Sequence, residues 1–369
     1  MSENQLEAIP KVMMAVQLTG NGGPEKLAVL HDIRVPDIGE DEVLIRVKAC
    51  GVNNTDINTR VGWYSKSVTA ATSSKGFGEI EDKQTWGGNK FSFPRIQGAD
   101  VCGIVVDVGN NADASLIGRR VLVDPCVRNP KPGNWRDNAR YLGSEINGAF
   151  AQYCAVPLRN TYPINSEMTD IELASFPCSW ATAEHMLTRS RLRKGQTLVV
   201  TGASGGVGTA LIQLAKLREA NVIAVTSSEK FDSVKDCGAD LLLDRNEKEL
   251  KSNIIELAQG PVDVLADVAG GNNFVQLFES IAKGGCYVTS GAIAGPIVDL
   301  DLRTLYLNDI EMHGCTVYDP AVFKLLVEYI ENERVKPIIG GVFRLEEIRH
   351  AQEEFSKKQH VGAMVLTVD

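Results

Sequence analysis

Two stretches of this chain collect residue types that do chemistry. The first, KACGVNNTDINTR over residues 48 to 60, sets a thiol, three amides, an aspartate and an arginine behind an alternating strand pattern. Side chains of these kinds hold metal ions or bind and move protons. The second, LVVTGASGGVGTALIQLAK over residues 198 to 216, is a glycine turn between an apolar run and an amphipathic one. Glycines in such a turn let the backbone approach a phosphate, and the N–H groups of the following helix face it.

The turn fits three templates. Gly202-x-Ser204-x-Gly206 reads as a hydrolase nucleophile elbow, with His313, His350 or His360 as downstream bases. Thr201 and Gly202 with Gly206 and Gly208 look like the short-chain dehydrogenase fingerprint, but the Tyr-x-x-x-Lys that family needs occurs nowhere. Ala203-x-Gly205-x-x-Gly208 is the dinucleotide fingerprint with its first glycine relaxed to alanine. A P-loop is excluded, because no Gly-Lys-Ser/Thr follows. An elbow leaves Gly208 unexplained, whereas a dinucleotide fold requires it for close packing of helix on strand. A nucleotide is therefore expected on Ala203, Ser204, Gly205, Gly206, Val207 and Gly208, with a serine hydrolase kept as the outsider.

The next apolar run ends in Thr226, Ser227, Ser228, Glu229 and Lys230. An acid at this strand end would bond a ribose 2′-hydroxyl. Small hydroxyls beside Lys230 suit a 2′-phosphate better, so the expected cofactor is NADP(H). Glu229 is the dissenting residue, and it also reads as a first-turn helix acid.

The elements that must position these stretches change period near residue 166. Before it, runs such as EVLIRVKA, GIVVDVG and RVLVDP predict an all-β, barrel-like unit over residues 11 to 156. After it, apolar runs alternate with helical patterns, which predicts βαβ units and a parallel doubly wound sheet. Residues 170 to 190 read as one helix with Asp170 as N-cap. From Asp319 one amphipathic helix is expected, then VGAMVLTV as a strand returning to the first unit. Residues 65 to 93, carrying Phe77, Trp86 and Phe91, and residues 128 to 145 interrupt the first unit. Loops of this length act as lids or pack on themselves at the surface.

The bulk properties bound the rest. A chain of 369 residues predicts two domains. A net charge of −9 argues against nucleic acid or an anionic membrane as partner. The N-terminus carries acids where a secretory signal needs bases, and no apolar run is long enough to cross a bilayer. Eight cysteines, no two closer than 24 residues, form neither a disulfide framework nor a CxxC lobe. The expected location is cytoplasmic.

The motifs DEVLIRVKACGVNNTDI, FPRIQGADVCGIVVDVG, GAFAQYCAVP, ASFPCSWATAEHML, VTGASGGVGTALIQLAK and CGADLLLDR together resemble the medium-chain dehydrogenase/reductase family. The likeness is strongest to its zinc-free quinone and enone oxidoreductases and runs from about Met13 to the C-terminus. It implies an α/β fold: a GroES-like β-rich domain over 1–165 and 319–369, and a Rossmann doubly wound parallel-sheet domain over 166–318.

The resemblance also implies what becomes of a metal. Zinc members of the family take a Cys where this chain has Asn53, a His where it has Ala99, and a third ligand where it has Cys178. A tetrahedral site needs three protein ligands and water, so no metal is expected. His185 cannot complete it, lying seven residues from Cys178 on one helix, roughly 10 Å along the axis. His313 and Cys315 read as packing, and Cys126 stands alone where a structural zinc lobe would be.

By the same likeness Asn53, Tyr64 and Thr182 face nicotinamide and substrate, and Ser290 and Gly291 line the nicotinamide pocket. Asp56 braces the loop, and Arg245 is either near the adenosine phosphate or a surface residue. One departure is Ala363, where the family's last strand commonly has lysine. The implied activity is NADPH-dependent, zinc-independent hydride transfer to an enone or quinone, a small-molecule partner, by a homodimer. An alcohol or aldehyde dehydrogenase of the same fold and a catalytically silent nucleotide-binding module are the alternatives.

Overall fold

The computed structural model describes residues 8–73, 75–77, 80, 86–88, 90–128 and 136–369. Part of the first insertion, and Pro130, Pro132 and Trp135 of the second, lie outside the described residues.

The first half is built on the strand Glu42–Val52. Its apolar positions Val43, Ile45 and Val47 are buried while Arg46 and Lys48 are not, and from Ala49 to Val52 both faces are covered. That burial follows from pairing: the strand bonds antiparallel with Cys102–Val108, Tyr153–Pro157 and Ala363–Thr367. The C-terminal run thus returns to the first half, with Met364 opposite Val52 and Thr367 opposite Ala49. A second sheet sets Val12–Leu18 between Leu27–Arg34 and Arg95–Ile96.

Residues 11 to 156 are not all β. The polar stretch itself forms a helix, Asn54–Val61, entered from an extended Asn53 and left through Gly62 at φ 78°. Asp56, three residues after Asn53, accepts the Asn53 N–H at 2.8 Å, a capping contact that a strand-period reading overlooks.

The second half holds six parallel strands in the order Leu241–Asp244, Asn221–Thr226, Thr197–Thr201, Val262–Asp267, Ile281–Thr289, Glu311–Gly314. Numbered along the chain this is 3-2-1-4-5-6, and the order reverses between Thr197–Thr201 and Val262–Asp267. The glycine turn leaves the sheet at that point. Thr201 Oγ1 donates to the buried Asp267 at 2.6 Å, tying the two strand ends together.

Two helix expectations need correction. Residues 170 to 190 form two helices, Asp170–Leu173 and Pro177–Ser190. Thr169, not Asp170, is the N-cap: its hydroxyl accepts from Glu172 N–H, and Glu172 accepts from Thr169 N–H in return. The break falls at Pro177, which has no N–H to continue the first helix and opens the second. The C-terminal tail holds two helices, Pro320–Glu331 and Ile348–Lys357. The former buries Phe323 and Leu326 in the same core as Met186 and Leu211, and the latter packs Ile348 and Phe355 with Leu366.

Candidate active site

Asp100 organises the floor of the cleft. It is 1% exposed, and its carboxylate accepts from Asn53 Nδ2 at 2.7 Å and from the Cys178 N–H at 2.6 Å. Asp56, equally buried, accepts from the N–H groups of Asn53 and Gly98. Burial pushes both carboxyls up to about 7, and Asp100's charge adds to the rise at Asp56. Asp56 therefore braces the turn into the helix.

Cys178 stands in the first turn of Pro177–Ser190, and of the eight cysteines it alone is only partly buried. Its thiol accepts from the Tyr141 hydroxyl at 3.2 Å, and its carbonyl accepts from Thr182 Oγ1 at 2.7 Å. Burial, then Asp100, holds the thiol well above its ordinary range. Tyr64 donates to Thr55 Oγ1 at 3.1 Å, and burial pushes its phenol up to about 12. Through Asp100, Asn53 at the start of one helix is tied to Cys178 in the first turn of the other. Among the described residues no group of three His, Cys, Asp or Glu is placed to hold a metal ion.

The glycine turn is as its chemistry demands. A Cβ on Gly208 would lie 2.3 Å from the Gly202 carbonyl, so only glycine lets this helix pack so closely on its strand. A Cβ on Gly205 would meet only the Gly202 carbonyl, at an ordinary 3.5 Å, whereas one on Gly206 would press on Ser179 at 3.3 Å. The twelve-residue helix Gly206–Leu217 presents its first-turn N–H groups here. The N–H groups of Gly206, Val207 and Gly208 could hold the diphosphate of a dinucleotide here. Lys230, 8% exposed, brings its ammonium within 3.5 Å of Ser204 Oγ and donates to the carbonyls of Lys358 and His360. Ser227 is buried beside it, while Ser228, Glu229 and Arg245 are exposed. Arg245 N–H bonds the Thr226 carbonyl, closing the end of that strand.

Ser290 donates to Met186 Sδ at 3.1 Å, and Gly291 sits against Val268, which also abuts Gly202. The structure thus brings Ser290 and Gly291 to the glycine turn. Among the described residues no histidine bonds Ser204. His313 instead accepts from Arg189 and donates to Glu311. His185 is buried near Tyr318, and burial with nearby arginines lowers its imidazole to about 4.

Three contributors have no signal in the motifs. Tyr141 belongs to an insertion and has no family position. Gly362 donates its N–H to the Ser204 carbonyl at 2.8 Å, joining the returning chain to the glycine turn. Lys358, five residues before Ala363, reaches Asn54 Oδ1 at 2.8 Å. Thr72 of the first insertion touches both halves of the chain: its hydroxyl donates to Asn58 Oδ1 and its N–H to the Ile293 carbonyl. The insertion's aromatics also pack, Phe91 on Phe93 and Trp86 on Tyr141.

An inter-domain cleft with a dinucleotide turn on one wall and polar side chains on the other defines an oxidoreductase of the nicotinamide class. The model described as "Alcohol dehydrogenase GroES-like domain" matches residues 39–166, and "Zinc-binding dehydrogenase" matches residues 206–332. A crystal structure of a Sinorhizobium meliloti 1021 protein, provisionally named an alcohol dehydrogenase, is 41% identical with a TM-score of 0.90, covering 98% of each chain. An NAD-dependent alcohol dehydrogenase of Sulfurisphaera tokodaii is 28% identical, covering 96% of this chain and 99% of its own. A quinone oxidoreductase of Rattus norvegicus is 26% identical, covering 96% and 98%. The chain belongs to the medium-chain dehydrogenase/reductase family and is an NAD(P)-dependent oxidoreductase, with a GroES-like and a Rossmann-like part.

Proposed function

We propose that this protein is an NADP(H)-dependent reductase of conjugated carbonyls or quinones that works without a metal. The observation that carries this reading is the donor set under the cleft. Where a zinc centre needs Cys or His at 53 and 99, an amide and a methyl group stand, and the amide is engaged by Asp100. One thiol remains, and its burial favours the protonated form. The bound nicotinamide supplies hydride, the part of the chemistry that protein side chains lack. Without a Lewis acid, the acceptor must spread the incoming charge through its own π-system, which an enone or quinone does. Asn53 positions the acceptor, Tyr64 walls it, and Thr182, Ser290 and Gly291 flank the nicotinamide.

Ser227, Ser228 and Lys230 support the 2′-phosphate reading, since Lys230 is already poised beside Ser204. The domain limits proposed are 1–165 with 319–369, and 166–318. Eight unpaired thiols favour a reducing compartment, the cytoplasm. The exposed edge of Glu311–Gly314 favours a homodimer. The names of several relatives support a second reading, reduction of simple aldehydes.

The test is turnover with NADPH across a panel of enones, quinones and saturated aldehydes, with zinc content measured on the same sample. Enone or quinone turnover by metal-free protein is expected. Turnover of saturated aldehydes alone, or one tight zinc per chain, overturns the proposal, and nucleotide binding with no turnover points to the silent module.

A further inference from the structure

The insertions converge on one hydroxyl. Tyr141 lies on a short strand, Arg140–Tyr141, paired with Cys126–Val127. Its N–H is held by Glu145 Oε2, and the other oxygen of that carboxylate holds the Gly87 N–H of the first insertion. Trp86 N–H bonds Ser144, and the indole lies on the Tyr141 ring with centroids 4.7 Å apart. The phenol is thus clamped by both insertions, 4% exposed, and aimed at Cys178.

What it is aimed at matters. A thiol sulfur is a weak acceptor, so this buried donor has no strong partner of its own. It ends beside the one cysteine that is only partly buried. Tyr64, by contrast, already donates to a hydroxyl oxygen.

We propose that the Tyr141 hydroxyl is the catalytic hydrogen-bond donor to the acceptor's carbonyl oxygen, leaving Cys178 Sγ as charge develops there. This rests on the reductase reading above. In the step it serves, the acceptor takes hydride at its β-carbon, and the C=C pair moves to form an enolate. The Tyr141 proton stays on the phenol throughout, because burial holds that group well above its ordinary range. Solvent water then gives a proton to the α-carbon and leaves as hydroxide, which bulk buffer neutralises, so the products are the saturated ketone and the oxidised nucleotide. The insertions supply, with a fixed O–H dipole, the stabilisation that a cation would otherwise provide.

The experiment uses the full chain, NADPH and 2-cyclohexen-1-one, with the saturated aldehyde hexanal in parallel. Tyr141→Phe is expected to lower kcat by about 100-fold, the usual effect of removing one oxyanion donor, with NADPH affinity unchanged. Independently of turnover, iodoacetamide labelling of Cys178, followed by mass spectrometry, should slow severalfold in this variant, because the thiol loses a bond that favours its anion. Tyr153→Phe, remote from the cleft, controls for the substitution itself. Wild-type kcat in Tyr141→Phe, or unaltered labelling of Cys178, overturns the proposal. If the wild type reduces only hexanal, the enone reading fails while loss of that activity in Tyr141→Phe still supports the donor. If it reduces neither compound, both fall.

Discussion

Lys230 does two jobs with one ammonium group. It lies within reach of the glycine turn and fastens the returning chain through the carbonyls of Lys358 and His360. Lys358 faces it: burial, then the charge of Lys230, lowers the Lys358 ammonium to about 7. Two amines brought this close, with no carboxylate bonded to either among the described residues, are relieved by an anion, which on the proposed reading is a nucleotide phosphate. Lys230→Ala should therefore weaken NADPH binding about 10- to 100-fold more than NADH binding, the range for one charge-assisted bond. Fluorescence titration with both nucleotides measures this, and equal losses would place the 2′-phosphate elsewhere. The sequence exposes Lys230 by its position after a strand. Lys358 is legible only in three dimensions, because it comes from the far end of the chain.

At the scale of elements, the cleft floor ties Asn54–Val61 to Pro177–Ser190 through two carboxyls. Both Asp56 and Asp100 sit near 7 in the folded protein against an ordinary 3.8. Between those values the folded chain holds protons that the unfolded chain has released, so stability falls as pH rises from about 4 to about 7 and then levels. Asp100→Asn keeps an acceptor for the Cys178 N–H and can donate to a flipped Asn53 amide. It also removes the charge that raises Asp56. Urea midpoints at pH 4.5 and 7.5 should drop clearly less in this variant than in the wild type. A wild-type-sized drop would show that these carboxyls are ionised in the fold.

At the scale of the whole molecule, Glu311–Gly314 ends the parallel sheet with one edge unpaired among the described residues. Around it Ile297, Leu302, Tyr306, Leu307 and Met312 are exposed, the first four by more than half of their surface. An open strand edge ringed by apolar side chains needs cover. On the proposed homodimer reading, a second copy adding its own edge would provide it. Wild-type protein should sediment as a dimer, and Tyr306→Glu with Met312→Glu should shift it to monomer with the fold intact by circular dichroism. A monomeric wild type at micromolar concentration removes the homodimer.

Local chemistry determined much of this protein from the sequence alone. The glycine turn, the change of period near residue 166 and the run of buried parallel strands are properties of neighbouring residues, and each appeared where its pattern placed it. The loss of Cys and His at 53 and 99 is likewise visible in one dimension. Capping was harder: Thr169 with Glu172, and Asn53 with Asp56, are short-range signals masked by the stronger apolar period around them. Only the tertiary structure decided that Tyr141 meets Cys178, that Asp100 meets Asn53, and that Gly362 closes on Ser204. Those contacts join residues 37, 47 and 158 positions apart, and nothing in the spacing of a chain records which distant side chains its folding will bring together.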